Sequence, residues 1–452
     1  MSRKSSATLA GPTKVEAGSE IVAVRSNRVV LENTIGPAEI VISNGKIVDV
    51  LPKRNWARPS GEKMLDVGDL VVMPGIIDPH VHICEPRHPT WEGFTSVTKA
   101  AAAGGITTIV DMPLYSCPPT TTLSGLDTKL QSAKGQCYID VAFWGGIIPG
   151  NQAELLPMLK AGVPGFQCFL MATGVEDFSH VLLQDLHVAM NELQGTDCVL
   201  LTPQSTAHCW THILILWKWR PPLPLLSSAS STTRAIPIIK DARQKGAPIT
   251  VETTHHYLNL TSECIPPGAT YYKCHPPIRE KSNQEQLWEA VQVGQIDMVV
   301  SAHVPWSPDL SDLNSGDFLK AQAGIASLQF GLPLFWTSAK SRGFTLHDIV
   351  KLMCKNPAIL SKLEDRKGSL SPGMDADMVI WNPEKEFEVN RNIIHHKHKL
   401  TPYLGFQLYG EVFATLVHGR LAYLNGKFAP KPQGDLLVTE RKMPTRFSSP
   451  YY

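Results

Sequence analysis

No apolar run in the 452 residues approaches the ~18–20 that a membrane-spanning helix needs. None of the nine cysteines (84, 117, 137, 168, 198, 209, 264, 274 and 354) forms a CxxC pair, and their number is odd. A disulfide framework and a structural zinc ribbon are therefore not expected, and a reducing compartment fits best. No basic excess exists: Lys+Arg is 42, Asp+Glu is 41 and the formal charge is +1. Nothing in that balance tracks a phosphate backbone, so no nucleic-acid partner and no membrane surface is expected. No glycine-rich loop opens a helix, so phosphate-loop chemistry is not expected either. The N-terminus lacks the apolar core of a secretory signal, and the final Ser-Pro-Tyr-Tyr is no peroxisomal address. Residues 1–19 read as a disordered tail in a cytoplasmic protein. Arg3, Lys4 and Lys14, with no acid before Glu16, make a mitochondrial presequence the second reading.

What is present is the composition of a globular protein: 43% apolar and 18% charged residues. The two chain ends read alike. Apolar runs flank Asn44-Gly45 in VISNGKIVDV and Asn425-Gly426 in LAYLNGKF, and Asn-Gly is a hairpin-turn signal. Residues 20–70 and 370–430 are expected to form one composite β domain, a small sandwich, with 431–452 as a C-terminal tail. Between them, short apolar strands alternate with helical stretches such as SVTKAAAAGG, ELLPMLKAG and LLQDLHVAMNELQG. That alternation over 71–369 predicts an α/β fold with a parallel sheet, best read as a (β/α)8 barrel. Seven barrel strands are clear. The stretch after Leu201 is unlike the rest. It holds Trp210, Trp217, Trp219 and the run Pro221-Pro222-Leu223-Pro224, which a barrel helix does not tolerate, so one barrel unit is expected to be missing.

Asp78-Pro79-His80-Val81-His82 carries the chemistry. Side chains two apart on a strand share a face, so His80 and His82 can reach one metal at the strand's C-terminal end, where barrel enzymes act. The alternative is two unrelated histidines on a barrel strand, and the spacing alone leaves both open.

The stretches MPGIIDPHVH, WEGF, AAAAGGITTIVDMPL, DVAFWGG, PITVETTHHYL, IPPGATYYKC, PPIRE, SLQFGLPLFWTSA, DADMVIWNPEKEFEV and HKLTPYLGFQL occur in one order across most of residues 65–410. They resemble the vertebrate allantoinases, cyclic amidohydrolases of the amidohydrolase superfamily. The resemblance implies hydrolysis of the cyclic amide of allantoin to allantoate in purine breakdown, with allantoin as small-molecule substrate. It also implies two zinc ions per chain, bridged by a carbamylated lysine and a hydroxide, and a homo-oligomer of the tetramer type. The pair His80 and His82 would hold one metal and two later histidines the other. An aspartate on the last strand would bind metal and shuttle the proton.

At the other positions the chain departs from that pattern. Gln167 stands at the lysine position, and a primary amide forms no carbamate. Ala302 stands at the aspartate position, beside His303, which as a strand neighbour faces the other way. The two histidine segments are replaced by Thr202-Pro203-Gln204 and Leu225-Leu226-Ser227-Ser228. His208 and His212 lie in the anomalous stretch, and no metal role is expected of them. On the rim, Tyr115 stands where the family has asparagine, and Cys84-Glu85-Pro86-Arg87-His88 replaces its Asn-Glu-Pro-Gly-Arg. No catalytic residue is intact, no substrate-binding residue can be assigned, and the chain as written is expected to have little or no activity. A relaxed, degenerating gene and a mis-assembled gene model across 202–234 both fit. The alternative function is a non-catalytic binding or assembly protein on the same fold, and a third reading is a chain that does not fold stably. At the strand end, one of His255 and His256 can touch the pocket while the other hydrogen-bonds within the barrel, and no direct substrate role is expected of either; His395-His396-Lys397-His398-Lys399 reads as a solvated face rather than a metal tract.

Overall fold

The computed structural model describes residues 15–56, 63–88, 90–203, 224–228 and 231–438. Residues 1–14 of the N-terminal tail, 439–452 of the C-terminal tail, and 204–223 with His208 and His212 lie outside the described residues.

Both chain ends build one nine-stranded sheet. Ala23–Val30, Ile35–Ser43, Lys46–Pro52, Met64–Asp66 and Val71–Pro74 come from the N-terminal side. Met378–Glu388, Gln407–Val417, Arg420–Leu424 and Lys427–Phe428 come from the C-terminal side. Val71–Pro74 joins the halves, parallel to Ala23–Val30 and antiparallel to Met378–Glu388. Both Asn-Gly pairs make the turns their sequence announces. Asn44 and Gly45 have φ of 50° and 74°, Asn425 and Gly426 44° and 84°. Left-handed conformation at both central residues is the hairpin turn that matches strand twist. Ile21, Val24, Ile40, Ile42, Met378, Ile380 and Leu416 pack into this domain's own apolar core.

The barrel has eight strand positions, one more than the sequence count. In order they are Ile76–Val81, Ile106–Asp111, Asp140–Phe143 continued by Gly145–Gly146, Gly165–Gln167, Val199–Pro203, Leu225–Ser228, Ile249–Thr254 and Met298–Val300. Every neighbouring pair is parallel. A parallel bridge between Val81 and His303, with the His82 amide donating to the His303 carbonyl at 2.9 Å, closes eighth strand onto first. The expectation of a missing unit is thus corrected for the sheet. Leu225–Ser228 is the sixth strand, too short and too Pro-flanked to stand out in sequence. The link from the fifth strand to the sixth lies outside the described residues.

Helices Phe94–Ala103, Leu123–Ala133, Gln152–Lys160, Leu183–Glu192, Ile236–Gln244, Lys281–Gln292 and Gly331–Ala339 surround the sheet. The first runs through four alanines and stops at Gly104-Gly105. A Cβ on Gly104 would collide with the Gln329 carbonyl, and Gly105 takes φ 81°. Side-chain alternation defines the lumen. Val110, Met112, Ala142, Trp144, Val199, Leu201, Leu226, Met298 and Val300 from five strands form one buried cluster, which is possible only inside the barrel. Phe166, Leu200, Leu225 and Val251 belong instead to the shell between sheet and helices.

Candidate functional site

His80 and His82 sit at the C-terminal mouth, on and just past the first strand, and both are buried. Their ring centroids are 5.7 Å apart. The lumen tryptophan Trp144 donates its indole N–H to the Pro79 carbonyl at 2.8 Å, pinning the segment between Asp78 and His80. Asp78 ties first strand to eighth. Its carboxylate accepts from the His80 amide and from the Ser301 amide, each at 3.1 Å. Burial nevertheless pushes the Asp78 carboxyl up to about 6.

His80 Nδ1 lies 2.5 Å from Glu252 Oε1, on the seventh strand. A carboxylate only accepts, so Nδ1 carries the hydrogen. Sequence reading missed Glu252, which stands 172 residues away. His82 has a buried Nδ1 with no partner, and its ring packs 5.1 Å from that of Tyr115. Burial, then the neighbouring His80, Lys129 and His303, holds His82 well below the usual imidazole range.

The expected metal positions meet no such set of donors. Gln167 is buried in the fourth strand, and its side-chain oxygen has no partner. Its register partner in the fifth strand is Leu201, whose partner in the sixth is Leu226. Thr202 and Leu225, which the sequence pattern placed at or beside the histidine positions, are one residue off the lumen-facing set. Ala302 has φ 44° and offers no donor.

His303 faces away, as expected. Its Nδ1 accepts from the Ser327 and Leu328 amides at 3.2 and 3.4 Å, so a neutral ring carries its hydrogen on Nε2, 3.8 Å from Glu92 Oε2. An imidazole fixed in that tautomer has no lone pair at Nε2 for a metal. Among the described residues, the one set of three His, Cys, Asp or Glu donors converging within 4.8 Å is Asp140, Asp375 and His418. Asp140 opens the third strand, at the opposite end of the barrel. The Lys367 ammonium already fills that cluster, 2.7 Å from Asp140, 2.5 Å from Asp377 and 3.3 Å from Asp375. A carbamate-bridged two-metal centre therefore does not fit the donors that the described residues present.

The other sequence readings divide. His255 and His256 cap the seventh strand inside helix His255–Asn259, and both are buried. His255 packs against Gly331. Burial, then the neighbouring His255 and His80, lowers His256 to about 3. The tract His395 to Lys399 is a solvated face only in part: Lys397 and Lys399 are exposed, while His396 is buried. His396 is 1% exposed, its ring 5.9 Å from that of His303, and His398 Nε2 lies 2.7 Å from the Thr90 carbonyl. Alternate residues turn inward because the segment lies along the barrel rim, where Glu92 accepts from the Lys397 amide at 3.1 Å. On the rim, Tyr115, with φ 67°, stands over His82. Trp306 lies 5.2 Å from Tyr115 and 4.8 Å from Trp91, so three rings pack edge to face at the mouth.

An eight-stranded parallel barrel with a His-x-His pair ending its first strand, and a β domain drawn from both chain ends, defines a class of barrel hydrolases. The comparisons agree. The model of the amidohydrolase family matches residues 71–177 and 231–422, and the chain belongs to that family. By family it is a metal-dependent hydrolase of the allantoinase type. It is 52% identical to "Allantoinase, mitochondrial" of Aquarana catesbeiana over 82% of this chain and 81% of that protein. It is 37% identical to the allantoinase of Saccharomyces cerevisiae over 93% of this chain and all of that protein. Among solved structures it resembles the L-hydantoinase of Arthrobacter aurescens, with a TM-score of 0.86 and 27% identity, covering 93% of this chain and 100% of that one. No helix among the described residues is long and apolar enough to cross a membrane.

Proposed function

We propose that this chain is an allantoinase-type cyclic amidohydrolase whose metal centre is lost as written, so that it turns over allantoin slowly or not at all. One observation carries the reading. The lumen-facing positions of the fourth, fifth and sixth strands carry Gln167, Leu201 and Leu226, and the eighth strand runs on into Ala302, so none of them offers the carbamate, imidazoles or carboxylate that the family's centre needs. His80 and His82 remain as metal ligands in this reading, but two imidazoles fall short of the three protein ligands of a catalytic zinc. Unassisted water has a pKa of ~15.7 against ~7 when metal-bound, and a cyclic amide carbonyl stays unpolarised. No step of ring opening is assigned to the residues present. Allantoate formation from allantoin by the full-length protein is the test. Turnover indistinguishable from buffer supports the reading; turnover within tenfold of an intact relative contradicts it.

A second reading, a non-catalytic binding or assembly protein, is favoured by the closed sheet. The barrel and its apolar clusters persist although the described residues lack the donors, which a chain retained only for its fold would show. A monodisperse homo-oligomer lacking allantoinase activity would support that reading; an aggregated product would favour a chain that does not fold stably. A cytoplasmic location, or a mitochondrial one as the relative's name suggests for itself, belongs to the same proposal.

A further inference from the structure

The third barrel strand changes partner in mid-course. Asp140–Phe143 pairs with the second strand, and only Gly145–Gly146 reaches the fourth. Residues 434–438 near the C-terminus pair along the edge of Asp140–Phe143 instead. The Asp435 carbonyl accepts from the Val141 amide at 2.9 Å, and the Leu437 amide donates to the Val141 carbonyl at 2.8 Å. The Gly434 amide donates to the Cys137 carbonyl at 3.0 Å, and Val141 and Leu436 form a parallel bridge. A Cβ on Gly434 would overlap the Ile139 carbonyl, so the arm lies flush against the strand. Leu437 is buried in the lumen cluster with Trp144, Met298 and Val300.

One polar latch holds this arm. Asp140 Oδ1 accepts from the Asp435 amide at 2.8 Å, while Asp140 Oδ2 lies 2.9 Å from His418 Nε2. His418 stands at a turn of the β domain, 3.5 Å from the Asp435 carboxylate. The charged groups around it are Asp140 on the third strand, Asp375 and Asp377 at the entry to Met378–Glu388, Asp435 on the arm, and Lys367. Arg366 and Lys46 pair with Asp375 from behind. The carboxylates Asp140, Asp375, Asp377 and Asp435 thus face the cations Lys367, Arg366 and Lys46, and an imidazolium at His418 balances the set.

We infer that residues 434–438 form a detachable edge strand of the barrel base, latched by the imidazolium of His418 between Asp140 and Asp435 and loosened when that ring loses its proton. Burial lowers His418, but the Asp140 hydrogen bond and the surrounding carboxylates outweigh it and hold the ring at about 8. A raised folded-state pKa gives an interaction fully present below the free-imidazole value of ~6.5 and lost as pH rises through about 8. Release would uncover the edge of Asp140–Phe143 and the lumen contact of Leu437, a conformational change at the end of the barrel opposite His80.

Hydrogen exchange on the full-length chain reads this directly at the peptide spanning residues 433–438, corrected for intrinsic exchange rates. Protection should fall about tenfold between pH 6.5 and pH 9, set by the shift from ~6.5 to about 8. It should be low and independent of pH in His418→Gln, which keeps a side-chain donor to Asp140 but carries no charge. Protection in the wild type that is equal at both pH values overturns the inference. So does a fall that persists unchanged in His418→Gln, since another group would then be the latch.

Discussion

A buried imidazole that must stay neutral makes a fold sensitive to acid. His255, His256 and His396 are each held at about 3, chiefly by burial, and His82 is also depressed. Above pH ~6.5 these rings are neutral in both folded and unfolded chains and impose no penalty. Below it the unfolded chain takes up protons that the folded chain refuses. Each ring then lowers stability by about 1.4 kcal/mol per pH unit until its folded pKa is reached. Urea midpoints are therefore expected to drop steeply between pH 7 and pH 5, and an unchanged midpoint would show that these rings are solvated. At this scale the sequence was half legible. The His80/His82 pair could be read because two-residue spacing on a strand is local. Glu252 could not, because its contact with His80 depends on seventh and first strands meeting across the barrel. His396 was misread because its charged neighbours suggested solvent, whereas the rim turns alternate side chains inward.

Among the elements, the sixth strand decides most. Its four residues follow a proline run and carry no alternation of polar and apolar side chains, so nothing local marks them as a strand. Its register, Leu201 to Leu226 and Leu200 to Leu225, comes only from the neighbouring fifth strand. Position 225, where the sequence pattern calls for a histidine, packs into the outer shell, and position 226 faces the lumen. In a Gln167→Lys/Ala302→Asp background, Leu225→His is expected to add no zinc affinity, while Leu226→His places an imidazole on the metal side. Zinc titrations of the two triple variants check this, and tighter binding through position 225 would contradict the assigned facing. The hairpins at Asn44-Gly45 and Asn425-Gly426 were legible for the opposite reason. Their signal is confined to two residues whose left-handed geometry few other pairs adopt.

At the scale of the whole molecule, the barrel base and the β domain are joined by buried charge. Lys367 is 3% exposed and is held far above its ordinary range by Asp140, Asp377 and Asp375 against the opposing effect of burial. Lys367→Met would leave those carboxylates facing one another and should cost about 3–5 kcal/mol in chemical denaturation. A loss below about 1 kcal/mol would mean that water already screens the cluster. None of this network was visible in sequence, since Asp140, Lys367, His418 and Asp435 come together only once both chain ends have packed on the barrel. The composite domain and the parallel barrel were legible, because they rest on patterns repeated along the chain. At the mouth, we propose, the described residues present too few donors for the family's metal centre. The most direct test is bound metal per chain on purified, monodisperse full-length protein after exposure to excess zinc and desalting. The account expects close to zero zinc. One to two ions per chain, abolished by His80→Ala, would contradict it and would show that ligands other than those named here complete the site.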